Sequence, residues 1–129
     1  IVGFAKALEI IKKLSKEKII ELRNYFIQQF EKLGGKINGS KEKGIYSIVN
    51  VYFPKVDAEN VVLFLSQKGI MCSTGSACDS KKKNERVLKA IGSNSKVNKS
   101  IRFSFFDNIS KKDIDFVVEE LKNYLNKQI

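Results

Sequence analysis

The stretch 46-YSIVNVYF-53 decides the fold. β-branched and aromatic residues fill it, and it ends at Pro54, the only proline of the chain. That composition with that stop predicts a strand. A second run, 100-SIRFSFF-106, alternates strictly. Ile101, Phe103 and Phe105 fall on one side and Arg102 and Ser104 on the other, because successive side chains of an extended chain point to opposite faces. Asn50 is the one polar interruption in the middle of the first strand, expected to be a satisfied polar group or an interdomain contact.

Working outward, the flanking segments read as helices. Ile19, Leu22, Phe26, Phe30 and Leu33 recur at helical spacing behind Ser15, which is placed as an N-cap, with Leu14 and Ile19 set to form a hydrophobic staple. Gly34 and Gly35 end that helix. Lys36–Asn38 is a short strand candidate, and 39–44 a polar loop. Asp57 caps a helix that buries Ala58, Val61, Val62 and Leu65 and stops at Gly69. Ile70–Ser73 is apolar enough for another strand, and Glu85–Ile91 for a short helix closed by Gly92. The last helix starts at Ser110, with Asp113 at capping-box spacing, Ile109 and Ile114 as a staple, and a core face of Ile114, Val117, Val118, Leu121 and Leu125. The first segment, Val2–Leu14, places Phe4, Leu8 and Ile11 at helical spacing. The predicted class is α+β, a small, mostly antiparallel sheet packed against amphipathic helices.

Composition narrows the chemistry. The chain has 129 residues, enough for one domain with a real core, and no histidine. Without imidazole there is no His base for a Ser or Cys nucleophile and no His ligand for zinc, and two cysteines are too few for a tetrahedral site. The net charge of +10 invites a nucleic-acid partner, but nearly all of it is lysine; arginine stands only at positions 23, 86 and 102. Base readout and bidentate phosphate clamps favour arginine, so specific nucleic-acid binding is not expected. No apolar run is long enough to span a membrane and no signal-peptide pattern occurs, which predicts a soluble, cytoplasmic protein. The text opens on Ile1 in mid-pattern, as expected of a piece of a longer chain.

Two side chains stand out as chemical candidates. Cys78 follows the small, polar run Ser73–Ala77 and precedes Lys81, Lys82 and Lys83; neighbouring cations favour the thiolate, the nucleophilic form. An incidental exposed thiol is the plainer alternative. Arg102, alone among apolar neighbours in its strand, suits a carboxylate gripped bidentately, or else a structural ion pair with an Asp or Glu. Cys72, beside Met71, reads as core packing.

In order and in spacing, these segments resemble the C-terminal region of cysteine desulfurases of the NifS/IscS type, class-V aminotransferases of pyridoxal-phosphate fold type I. IVGFAKAL at 1–8 is similar to the segment after the cofactor-binding half, SIVNVYF at 47–53 to a strand of that family, and STGSAC at 73–78 to its catalytic loop. VLKAIG at 87–92, SIRFSF at 100–105 and the helix start at Asp113–Asp115 follow in the family's order.

The resemblance implies a small C-terminal domain over 15–129 with a catalytic-cysteine loop at 73–83, and a helix at 1–14 leading out of a pyridoxal-phosphate domain that is not here. It implies that Cys78 takes the sulfur of L-cysteine as a persulfide while alanine leaves, that Arg102 holds the substrate carboxylate, and that the cofactor serves as electron sink. It implies acceptors such as iron–sulfur scaffold proteins or tRNA-thiolation enzymes, and a homodimeric parent. The cofactor's lysine, its ring-stacking histidine and its phosphate-binding groups match no segment, so this chain alone is expected to be inactive. A selenocysteine lyase-like relative, or a basic module docking RNA or a sulfur acceptor, are the competing expectations.

Overall fold

The computed structural model describes residues 1–13, 15–74, 87, 88, 90–92 and 98–127. Among the described residues, the elements run in the order α1 (Val2–Lys13), α2 (Lys16–Lys32), β1 (Lys36–Ile37), β2 (Ile48–Tyr52), α3 (Ala58–Gln67), β3 (Ser100–Ser104) and α4 (Lys111–Asn126). The strands form one antiparallel sheet in the order β1-β2-β3. This is the α+β arrangement expected from the sequence.

The helix ends follow local chemistry. The Ser15 hydroxyl accepts from the Lys18 amide, Asp57 accepts from the Asn60 amide, and Ser110 with Asp113 closes a reciprocal capping box. Each occupies amide donors that the first turn cannot satisfy internally. The Leu14–Ile19 staple involves a residue outside those described. At the other end, α2 and α3 close with the same device. Gly34 and Gly69 take φ of 82° and 77°, and the amides behind them, Gly35 and Ile70, bond back to the carbonyls of Phe30 and Leu65. These are Schellman caps, which need a residue free to turn left-handed.

One sheet face is apolar and carries the core. Val49, Val51, Phe53, Ile101, Phe103 and Phe105 meet Ile19, Leu22, Phe26, Ile27 and Phe30 of α2. Five aromatic rings tie helix to sheet: Phe26 lies 4.9 Å from Phe103 and 5.4 Å from Phe105, and Phe30 lies 4.4 Å from Phe53. Offset and tilted rings at these separations add to the burial of their large surfaces. Ile114, Leu121 and Tyr124 of α4 complete the cluster, with Tyr124 packed on Phe64 of α3 at 5.2 Å. On the surface, Tyr25 donates to Asp115 and Lys111 pairs with Glu21, linking α2 to α4. By contrast, Phe4, Leu8 and Ile11 of α1 are exposed.

Several expectations need correction. Ile70–Ser73 is not a strand: Ile70 is held by the α3 cap, and only Ser73 pairs, as an isolated antiparallel bridge to Arg102. The two longer strands end earlier than their sequence patterns, at Ile48–Tyr52 and Ser100–Ser104, although single bonds continue beyond them, from Phe105 to the Ser47 carbonyl and from Phe53 to the Lys99 carbonyl. Lys36–Asn38 forms strand only at Lys36–Ile37. Of the helix expected at Glu85–Ile91, Val87, Leu88 and Ala90 are helical, and Glu85, Arg86 and Lys89 lie outside the described residues. Among the described residues no helix is long and apolar enough to cross a membrane.

Candidate active site

The sheet face away from the core carries Asn50 of β2 and Arg102 and Ser104 of β3, beside Ile48 and Tyr52. Arg102 stands opposite Asn50 in the β2–β3 register. Its amide and carbonyl both point the other way, to Ser73: the Ser73 amide donates to the Arg102 carbonyl at 3.1 Å, and the Arg102 amide donates to the Ser73 carbonyl at 2.6 Å. Asn50 and Arg102 are therefore a non-hydrogen-bonded pair, the kind whose side chains stand closest, with Cβ atoms about 4.5–5.5 Å apart on one face. Asn50 in turn accepts at its carbonyl from the Asn38 amide. Asn38, Asn50, Arg102 and Ser73 thus form one row across the sheet.

Hydrogen bonds fix the near end of that row. Asn38 is 9% exposed, and its Nδ2 donates both to Asn50 Oδ1 at 2.7 Å and to Ser100 Oγ at 2.9 Å. Asn38 Oδ1, also buried, has no partner among the described residues. An unmet buried acceptor costs on the order of 1–3 kcal/mol, so the amide is held in this orientation by its two donated bonds at the expense of its oxygen. Asn50 and Arg102 are both half-buried. Among the described residues no carboxylate pairs with the Arg102 guanidinium, so the structural ion pair set against its functional reading is not formed there.

A residue that the sequence did not single out supports this end of the sheet. Arg23, on the buried side of α2, is 5% exposed and donates to the Lys41 carbonyl at 2.8 Å and to Asn24 Oδ1 at 3.2 Å. It braces the 39–44 turn that follows Asn38. The only sequence signal was an arginine next to an apolar helical stripe.

The two cysteines separate. Cys72 is a half-buried free thiol packed against the core cluster, and burial pushes its pKa from 9.0 up to about 11. A neutral thiol in that setting is a poor nucleophile, in keeping with the packing role expected for it. Cys78 and the rest of STGSAC beyond Thr74 lie outside the described residues.

The pyridoxal phosphate implied by the resemblance does not fit the described residues. Every lysine whose side chain is described is exposed. A cleft of about 380 Å³ is lined by apolar groups such as Phe26, Ile70, Phe103 and Val117, with Asp113 at its edge, and offers no cation for a phosphate. Among the described residues no cluster of carboxylates or thiols could hold a metal ion.

Comparison with known proteins settles the family. The sequence model described as "Aminotransferase class-V" matches residues 1–117. This chain belongs to the class-V aminotransferase family. Among curated class-V relatives, it is 33% identical over 134 residues to cysteine desulfurase IscS of Dictyoglomus turgidum, covering 98% of this chain and 34% of that protein. It is 37% identical over 133 residues to the mitosomal cysteine desulfurase of Encephalitozoon cuniculi, covering 98% and 30%. A solved NifS-like protein superposes with a TM-score of 0.74 at 20% identity, over 86% of this chain and 28% of that one; the NifS-like protein of Rickettsia africae gives 0.73 at 19%, over 87% and 29%. At those identities the superpositions show a shared fold. The chain spans about a third of the length of the curated relatives it matches.

Proposed function

We propose that this chain is the C-terminal small domain of a cysteine desulfurase, in which Arg102 holds the carboxylate of L-cysteine and Cys78 receives its sulfur. The observation that carries the reading is the bridge between Ser73 and Arg102. Ser73 opens the STGSAC loop, so the strand that presents the guanidinium also anchors the segment that carries the thiol. Cys78 stands five positions beyond Ser73, a span of at most about 18 Å, so the nucleophile works within reach of whatever Arg102 holds.

The reaction balances without an added oxidant. The Cys78 thiolate attacks the substrate sulfur, a sulfur–sulfur bond forms, the carbon–sulfur bond breaks, and the carbon takes a proton to become the methyl group of alanine. Cys78 is left as a persulfide. Two backbone bonds hold Ser73 against Arg102, so the start of the thiol-bearing segment is fixed to the strand that presents the guanidinium. Pyridoxal phosphate belongs to segments other than those described, and the chain alone does not turn over L-cysteine. An iron–sulfur scaffold or tRNA-thiolation protein in the cytoplasm would take the sulfur, and the parent would be a homodimer.

The test uses the full-length enzyme, loaded with pyridoxal phosphate and given L-cysteine, with and without Cys78→Ser. Sulfide and alanine should appear together, the substitution should abolish both, and the peptide bearing Cys78 should gain one sulfur atom when no reductant is present. Full turnover by the variant would sink the assignment.

A further inference from the structure

We infer that Asn50 is a second donor for the substrate carboxylate, aimed by Asn38, so that the site grips that group with an amide beside the guanidinium rather than with Arg102 alone. The inference rests on the desulfurase reading and extends it to a residue on the neighbouring strand.

The register carries it. Asn50 and Arg102 share the face away from the core as a non-hydrogen-bonded pair, which sets the two side chains closer than any other cross-strand geometry. The amide of Asn50 is not free to turn. Its Oδ1 is taken by Asn38 Nδ2 at 2.7 Å, and Asn38 is itself buried and anchored to Ser100 Oγ at 2.9 Å. With the oxygen engaged by Asn38, the Nδ2 group is the end of the amide left for a ligand, and among the described residues no group accepts from it. A carboxylate presents two oxygens with about four acceptor sites. One oxygen on the guanidinium and one shared with the amide satisfies both, and the amide adds reach without a second charge to desolvate. Asn38 touches no substrate in this arrangement. It is a positioning residue that fixes which end of Asn50 points outward.

The experiment uses the full-length enzyme with L-cysteine as substrate and L-alanine and L-alaninamide as competing ligands, which differ only in the carboxylate. Asn50→Ala should raise the KM for L-cysteine about tenfold, the worth of one charge-assisted bond of roughly 1.4 kcal/mol, with kcat held within about threefold. It should weaken L-alanine by the same factor and L-alaninamide, whose carbonyl accepts only a neutral hydrogen bond, by clearly less. Asn50→Asp keeps the volume and the acceptor for Asn38, so it guards against a folding artefact; it should raise KM further by placing a negative charge against the ligand. Asn38→Ala should repeat the Asn50→Ala pattern more weakly. Equal weakening of L-alanine and L-alaninamide by Asn50→Ala, or an unchanged KM in Asn50→Asp, overturns the role. Arg102→Ala separates the two levels. If it erases the preference for L-alanine while Asn50→Ala preserves it, only the inference about Asn50 fails; if Arg102→Ala also preserves it, the carboxylate reading of Arg102 fails as well.

Discussion

Replacing Gly35 with alanine should destabilise this chain far more than its position just past a helix suggests. Gly35 follows the left-handed Gly34 in the α2 cap, and its amide bonds to the Phe30 carbonyl at 3.4 Å. A Cβ built on Gly35 would stand 1.9 Å from Phe30 Cε1, 2.5 Å from Cδ1 and 2.6 Å from Cζ. Carbon atoms in contact prefer about 3.5–4.0 Å, so the nearest approach is short by roughly 1.6 Å. The ring cannot simply turn aside. Phe30 is 0% exposed and is held between Phe53, at 4.4 Å, and Phe26, at 5.7 Å. Overpacking of this kind costs about 1–3 kcal/mol, and a required shift beyond 1 Å puts the value at about 3. That outweighs the roughly 0.4–1 kcal/mol an alanine gains by restricting the unfolded chain.

Urea unfolding of the chain should report that loss as a lower midpoint at unchanged m, and thermal melting as a fall of about 10 °C. Gly34→Ala is the contrast. Nothing lies within 4 Å of its Cβ, but its φ is 82°, so it should lose only about 1 kcal/mol to backbone strain. The decisive result is the double-mutant cycle. In a Phe30→Leu background the clash partner is smaller, and Gly35→Ala should cost about 2 kcal/mol less than it does alone. Additivity within about 0.5 kcal/mol, or a neutral Gly35→Ala, would show that the ring does not abut the glycine.

Two other outcomes are expected. Ser110→Ala should destabilise by about 1 kcal/mol through loss of the α4 cap. It should also blunt the acid limb of the stability curve: hydrogen bonds from Ser110 hold the Asp113 carboxyl below its ordinary 3.8, so the capped carboxylate contributes fully above that value and its contribution is lost as pH falls through the folded one. Urea midpoints from pH 3 to 6 check both effects. At neutral pH, Cys72, with its pKa raised from 9.0 to about 11, should hold about a hundredfold less thiolate than an ordinary cysteine and alkylate correspondingly slowly with iodoacetamide. Labelling of Cys72 at the rate of a free thiol would refute its burial.

The parts of the fold legible in the sequence are those decided within a few residues. Ser15, Asp57 and Ser110 act on amides three positions away, and Gly34 and Gly69 act on the turn they end, so caps and stops could be read without knowing the fold. The apolar stripes of α2, α3 and α4 followed from the helical period, although Ile27 and Tyr124 also enter the core. What misled was apolar content without a pairing partner. Ile70 has the composition of a strand residue, yet its amide is already committed to Leu65, which leaves only Ser73 to reach β3. Arg23 is buried because the carbonyl of Lys41, eighteen residues on, turns towards it; no local pattern contains that.

The candidate site shows the same boundary more sharply. Alternation alone sets Arg102 opposite the apolar face of β3, and a polar residue in the middle of 46-YSIVNVYF-53 marks Asn50 as out of place in a core strand. That the two stand side by side depends on register, and a slip of one residue would turn Asn50 to the core and bring Val49 or Val51 beside Arg102. Register here is held by the apolar pairs Val49–Phe103 and Val51–Ile101 on the other face, and by the bond from Asn38 to Ser100 across 62 positions. The chemistry on one side of the sheet is therefore aligned by packing on the other. A substitution such as Val51→Thr, far from any reacting group, would loosen Asn50 against Arg102 before it unfolded the domain, because the same rungs that bury the core fix the spacing of the pair.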